Sequence, residues 1–362
     1  MNGGWRIGRI GGIEIRLDAS LAILAAIAAF VLWRSFSVQG APLDLGEVIL
    51  AVTGAVILIG SILVHELAHA LFARLRGVPV SHIRLFVFGG GAYTTEETKK
   101  PLDEFLLTVV GPLSSAAVGA AFVVIYRLSD SPFAPVIQLF LLLGRWNLAL
   151  AVFNLLPGLP LDGGRIFHSA VWKITGNRYT ATMVAGRVGQ GLGILMVAAG
   201  VWLLFRSNDV WDLWFVLIGW EVHRAASAEL SAARGRKFVR TPLRDVMTAP
   251  PPTIPAELSI AEATESFLNG HEGESFPVMD DGRLVGFVSS REVGEVSPER
   301  KVGEFVFQEP GAVEATPAET LQEVTQRLGD RQWQAILVVD GGRLVGVFEH
   351  PALSALRRRW AQ

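Results

Sequence analysis

Three ionisable side chains, His65, Glu66 and His69, sit in the otherwise apolar stretch GSILVHELAHALFARLRG, residues 60 to 77. In a helix, positions i and i+4 share one face a single turn apart, so the two imidazoles can hold one metal ion together. Glu66 points about 100° around the same helix, where it can reach a water bound to that ion. This is the arrangement of a metal-dependent hydrolase. The same residues also fit two histidines hydrogen-bonded to neighbouring helices, with the glutamate at a water-filled crevice. Ionisable groups at membrane depth cost about 3 kcal/mol each on insertion scales, and where they are kept they usually function.

A zinc centre of this kind needs three protein ligands and one open position. The chain has no cysteine, so the third ligand must be His, Asp or Glu. The stretch NLLPGLPLDGGR, residues 154 to 165, offers Asp162. Pro157 and Pro160 break the helix, and Gly163 and Gly164 remove side-chain bulk, so a carboxylate can approach an ion from irregular backbone. Such backbone is tolerated at depth only when it is buried in protein or lines a wet cavity. Asp162 equally fits a cap for the helix GRIFHSAVW.

The elements that must carry these residues are membrane helices. The 362 residues are 51% hydrophobic and 18% charged, with 10 Trp and 20 Phe, too apolar for an ordinary soluble globule. A net charge of -2 says little about partners. Apolar segments near residues 19–37, 47–73, 103–126, 134–156, 180–205 and 209–223 suggest six crossings. Arginines and lysines cluster before the first, after the second, around the join of the fourth and fifth, and after the sixth; the opposite loops have none. By the positive-inside rule both termini are cytoplasmic. The polar start MNGGWRIGRIGGIEIRLDAS carries no cleavable signal, so the first helix is expected to remain. The second and fourth segments deliver His65, His69 and Asp162 to one level on the cytoplasmic side.

After about residue 240 the composition turns to that of a soluble α/β unit. FPVMDDGRLVGFVSS, 276–290, returns as ILVVDGGRLVGVFEH, 336–350, an offset of sixty, with strands flanking a D-x-G-R turn each time. This resembles a tandem pair of CBS motifs, a Bateman module. In that family a Ser or Thr and an acidic residue contact the phosphate and ribose of an adenine nucleotide such as ATP. The first copy offers Ser289 and Glu292; the second offers Glu349 and Ala352, which departs from the pattern and implies asymmetric binding. A duplicated domain that only holds subunits together fits the same residues.

H-E-x-x-H in a membrane helix, followed far along by N-x-x-P-x-x-P-L-D-G, is similar to the site-2 protease family of intramembrane zinc metalloproteases (peptidase family M50). The CBS pair resembles its prokaryotic subgroup with C-terminal CBS domains. The resemblance implies that His65, His69 and Asp162 ligate zinc, that Glu66 activates the water, and that Asn154 helps hold the substrate or its developing oxyanion. TVVGPLSSAAVG also looks like the family's G-P helix. The implied substrates are single-pass or membrane-associated regulatory proteins in a prokaryotic inner membrane, with no nucleic acid involved and a homodimer formed through the CBS domains.

The expected fold is an α-helical polytopic membrane protein with about six transmembrane helices and a membrane-associated β-hairpin, plus the soluble CBS pair. The expected divisions are 1–230 for the membrane domain, 231–242 for a linker, and 243–362 for the CBS pair, with repeats at about 243–300 and 301–362. Residues 78–95 are too short and too glycine-broken to span as a helix, and predict the hairpin. Its exposed edge, with residues 84–88 as the test stretch, would pair with an extended substrate strand; a hairpin that merely plugs the bundle fits too. His82, His168, His223, His271 and His350 are isolated from other ligand types; His82 and His168 read as polar contacts, with an approach to the site as the alternative, and Trp202, Trp211, Trp214 and Trp220 read as interfacial anchors. A CBS-regulated ion transporter and a non-catalytic membrane scaffold are the competing classes. Against the transporter, the six segments show no inverted repeat.

Overall fold

The computed structural model describes residues 4–37, 44–94, 98–131, 134–207, 212–249, 252–271, 275–289, 293, 296–306, 312–328 and 335–349. The chain forms two compact units, Met1–Ala233 and Arg234–Gln362. In the first, helices α1 (Leu21–Phe36), α2 (Leu45–Leu75), α3 (Pro101–Arg127), α4 (Pro135–Asn154), α5 (Asp162–Thr175) and α6 (Arg178–Ser207) precede α7 (Leu213–Val239). Four of them, α2, α3, α4 and α6, are long and apolar enough to cross a membrane. The six expected crossings are not all met by that measure among the described residues. At 16 residues, α1 extends about 24 Å, less than a ~30 Å hydrocarbon core. In α7 the apolar run soon meets Glu221, His223 and Arg224. Trp211, one of the expected anchors, lies outside the described residues.

The helices pack through small and aliphatic residues. Ala28 and Leu32 of α1, Ala51, Ala55 and Leu58 of α2, and Leu139 and Leu143 of α4 form one buried cluster. Asp44 caps α2, its Oδ1 accepting from the Gly46 amide at 2.8 Å.

The polar N-terminus, given no element in the sequence reading, forms two strands, β1 (Trp5–Ile10) and β2 (Ile13–Leu17). Gly11 and Gly12, both at positive φ, make the two-residue turn between them. The expected hairpin is present as β3 (Val80–Phe86) and β4 (Gly89–Thr94). All four strands form one sheet in the order β1-β2-β3-β4, with β2 and β3 parallel and the other pairs antiparallel. Arg84 and Leu85 are thus paired on both sides, Phe86 pairs only with β4, and the free edge of the hairpin is β4. Ile13, Ile83 and Leu85 press the sheet against Leu21 and Ala70, which fixes it to the helix that carries the histidines. Outside the bundle, the Arg84 guanidinium beside Asp18 holds that carboxyl well below the usual carboxylate range and ties β3 to the start of α1.

In the second unit, β5 (Ile254–Pro255), β6 (Ser275–Asp280) and β7 (Arg283–Ser289) form one three-stranded sheet, and β8 (Ala312–Ala315), β9 (Ala335–Asp340) and β10 (Arg343–Glu349) another. Each has a parallel pair followed by an antiparallel hairpin, so the sixty-residue repeat is a repeat of structure. Helical segments, Ile260–Leu268 and Leu321–Leu328, connect the parallel strands. The copies exchange their leading segments. Leu243, Val246 and Met247 pack into the second core with Ile336, Val338 and Phe348. Val302, Phe305 and Val306 pack into the first, with Ile254, Val278 and Val288. The segments on either side of residue 300 therefore contribute to a shared core rather than to separate ones. The expected linker, 231–242, is helical as far as Val239, which itself packs on the second core.

Candidate metal centre

His65 and Glu66 are buried on α2, at 5% and 8% exposure, with His69 half-buried one turn on. Asp162 reaches them from the first residue of α5. Its Oδ2 is 3.1 Å from His65 Nε2 and 3.3 Å from His69 Nε2, and the two Nε2 atoms are 3.2 Å apart. A tetrahedral zinc ion with bonds near 2.0–2.1 Å holds its donors about 3.3–3.4 Å from one another. The observed triangle has nearly that edge. His69 Nδ1 lies 2.8 Å from the Leu107 carbonyl, which can only accept, so the ring N–H sits on Nδ1. In a neutral ring the Nε2 lone pair then faces the centre. His65 Nδ1 pairs likewise with Ser115 Oγ at 2.9 Å. Lone pairs and a carboxylate converging at such range are reconciled by a shared cation.

Helix α3 supplies this orientation by register. Leu107, Gly111 and Ser115 recur every four residues on one face, opposite His69, the gap between the rings, and His65. A Cβ at Gly111 would lie 2.1 Å from His69 Nε2 and 2.8 Å from His65 Nε2, so only glycine leaves the imidazoles in place. The resemblance drew attention to the G-P pair, but the roles of Leu107 and Ser115 went unnoticed. Gly111 and Ser115, four residues apart, offered a partial signal; the Leu107 carbonyl offered none.

The approach of Asp162 depends on close backbone contact. A Cβ at Gly163 would lie 2.2 Å from the Leu155 carbonyl, and one at Gly164 2.1 Å from the Gly158 carbonyl carbon. The turn is held on its other side by α6, where the Leu159 amide donates to the Ala185 carbonyl at 3.2 Å and a Cβ at Gly189 would strike the Leu159 oxygen. The Leu159–Pro160 peptide is cis. Asp162 is not the helix cap: Leu161 holds that position and makes no side-chain capping bond.

Above Glu66 passes β4. A Cβ at Gly90 would lie 2.6 Å from Glu66 Cγ, so the hairpin's edge strand runs directly against the candidate base. Asn154 ends α4 half-buried, and no hydrogen bond ties it to the triad. The Ser289 side chain and Glu292 lie outside the described residues, as does His350. Of the remaining histidines, His168 meets Glu104 and Thr182, and His223 meets the Gln190 carbonyl. His271 packs edge-on against Phe276.

A helical bundle with membrane-length spans, and two histidines and an aspartate converging beside a buried glutamate, define a membrane-embedded metal-dependent hydrolase. The family model for peptidase family M50 matches residues 53–134 and 122–198, and that for the CBS domain matches 243–297. The chain is 32% identical to a protein of Mycobacterium tuberculosis named as a zinc metalloprotease, Rip3, over 94% of this chain and 89% of that one. A Synechocystis protein named in the same way, sll0528, is 30% identical over 98% and 95%. Among solved structures, the site-2 protease from Methanocaldococcus jannaschii is similar at 25% identity and a TM-score of 0.45, covering 63% of this chain and 95% of that one. The chain belongs to peptidase family M50, and it is a metalloprotease.

Proposed function

We propose that the protein is a zinc-dependent intramembrane endopeptidase in which His65, His69 and Asp162 ligate the ion and Glu66 is the general base. The observation that carries this reading is the 3.1–3.3 Å triangle of donor atoms beside a buried carboxylate. Bound zinc supplies a Lewis acid that acidifies water and polarises a carbonyl. Glu66 takes the proton of the attacking water and returns it to the leaving amine. Leu107 and Ser115 keep both imidazoles turned toward the centre through Nδ1. Asn154, at the end of α4, is assigned to the substrate carbonyl.

A transmembrane helix hides its scissile carbonyl in its own hydrogen bonds, so part of the substrate must become extended before it can react. The edge of β4, in contact with Glu66, suits such a segment, and Gly89–Gly91 rather than residues 84–88 is where substitution would disturb it. The substrates are read as single-pass or membrane-associated regulatory proteins. The CBS pair is assigned a sensing role, with Ser289 and Glu292 toward the phosphate and ribose of an adenine nucleotide and a homodimer formed through it. Both termini are assigned to the cytoplasmic side of a prokaryotic inner membrane. Family membership disfavours the transporter and the scaffold.

Metal analysis of the purified full chain against Asp162→Ala, coupled to cleavage of a membrane-segment peptide, tests the reading. One zinc per wild-type chain is expected, with metal and cleavage both lost in the variant. A variant that keeps its zinc would remove Asp162 from the ligand set.

A further inference from the structure

Away from the metal centre, polar side chains from three helices meet in a buried cluster that the proposed reaction does not use. Glu104 comes from the first turn of α3, His168 from the middle of α5 and Thr182 from the second turn of α6. His168 Nδ1 is 2.9 Å from Glu104 Oε2, and its Nε2 is 3.1 Å from Thr182 Oγ1. His168 is 3% exposed and Thr182 8%. The one hydroxyl proton of Thr182 is already directed to the Arg178 carbonyl at 3.0 Å. The ring is thus bracketed at both nitrogens, by the Glu104 carboxylate at Nδ1 and the Thr182 hydroxyl at Nε2. Moving the ring away from either partner would leave a buried polar atom without its hydrogen bond, so the arrangement resists displacement.

We propose that Glu104, His168 and Thr182 are positioning residues, a clasp that sets the roll of α5 and thereby the distance of Asp162 from the imidazole pair; this rests on Asp162 being a ligand. His168 lies six residues beyond Asp162, about 9 Å along the axis and about 120° around it. No side chain caps the first turn of α5. A roll of 20° would carry a carboxylate held about 6 Å from the axis through about 2 Å, whereas a working site tolerates roughly 0.5 Å. The clasp resists that roll from two sides, α3 and α6. Its Glu104 is three residues from Leu107, whose carbonyl orients His69. One helix, α3, thus references both halves of the triad: the histidines through Leu107 and Ser115, the aspartate through Glu104 and His168.

The test uses the full chain in detergent micelles, with zinc affinity measured by chelator competition and thermal unfolding followed on the metal-free protein. Glu104→Gln and Thr182→Val are expected to weaken zinc binding by about 10–100-fold, the usual effect of losing a partner that orients a ligand. Thr182→Ser keeps the hydroxyl and is expected to bind as the wild type does. Thr182→Val is close to isosteric, so the fold should survive it. Wild-type zinc affinity in Glu104→Gln and Thr182→Val, with only the metal-free melting temperature lowered, would overturn the clasp while leaving the ligand set standing. If Asp162→Ala, run alongside, binds zinc as the wild type does, the ligand assignment itself falls and the clasp loses its purpose.

Discussion

Helix α2 and the turn before α5 serve the same three-donor centre by opposite means. On α2, the regular helical period stacks His65 over His69 and sets Glu66 beside them, with Leu107 and Ser115 of α3 turning the rings inward. The 155–164 turn brings in Asp162 through broken helix, a bend at prolines, and glycines that let backbone touch backbone. A periodic element therefore confines its constraint to the functional positions themselves. An irregular one spreads its constraint over residues that never touch the ion.

The largest expected effect separates chemistry from binding within α2 itself. Glu66→Gln keeps the shape of the side chain but cannot take a proton. Peptide cleavage should fall about 10²–10⁴-fold while elemental analysis still finds zinc; full activity would end Glu66's role as base. Next comes the turn. Gly164→Ala forces a Cβ to within 2.1 Å of the Gly158 carbonyl carbon, and overpacking of this sort costs about 1–3 kcal/mol. A lower melting temperature and reduced zinc occupancy are expected together. The control lies on α2, where nothing stands within 4 Å of a Cβ at Gly60. Gly60→Ala should leave zinc and cleavage unchanged and raise helix stability by no more than about 1 kcal/mol. Equal damage from Gly60→Ala and Gly164→Ala would erase the contrast between the two regions.

The site was legible where its logic is local. H-E-x-x-H sets two imidazoles and a carboxylate together by helical period, and a chain without cysteine narrows a third donor to a few residue types. What could not be read was partnership across helices. Nothing in the sequence of α3 says that its Leu107 carbonyl and Ser115 hydroxyl face rings 38 and 50 residues earlier; a backbone acceptor has no residue signature, and a lone serine has many possible partners. His168 read correctly as a polar contact, but its partners, 64 residues before and 14 after, are set by packing. The N-terminal strands were missed because Arg6, Arg9 and Arg16 read as polarity, hiding the alternation of Ile13, Ile15 and Leu17 that follows the Gly-Gly turn. The repeat was plain from its offset of sixty, but similarity marks where a motif recurs, and burial decides which core each segment completes.

The exchanged segments of the CBS pair make each half the missing wall of the other. A chain cut at residue 300 would leave the first half without the Val302 and Phe305 side chains that close it, and would strip Leu243 of its burial in the second. Neither half is built to stand alone, so a perturbation felt by one copy must be paid for in the other. The tail should accordingly melt as a single cooperative body.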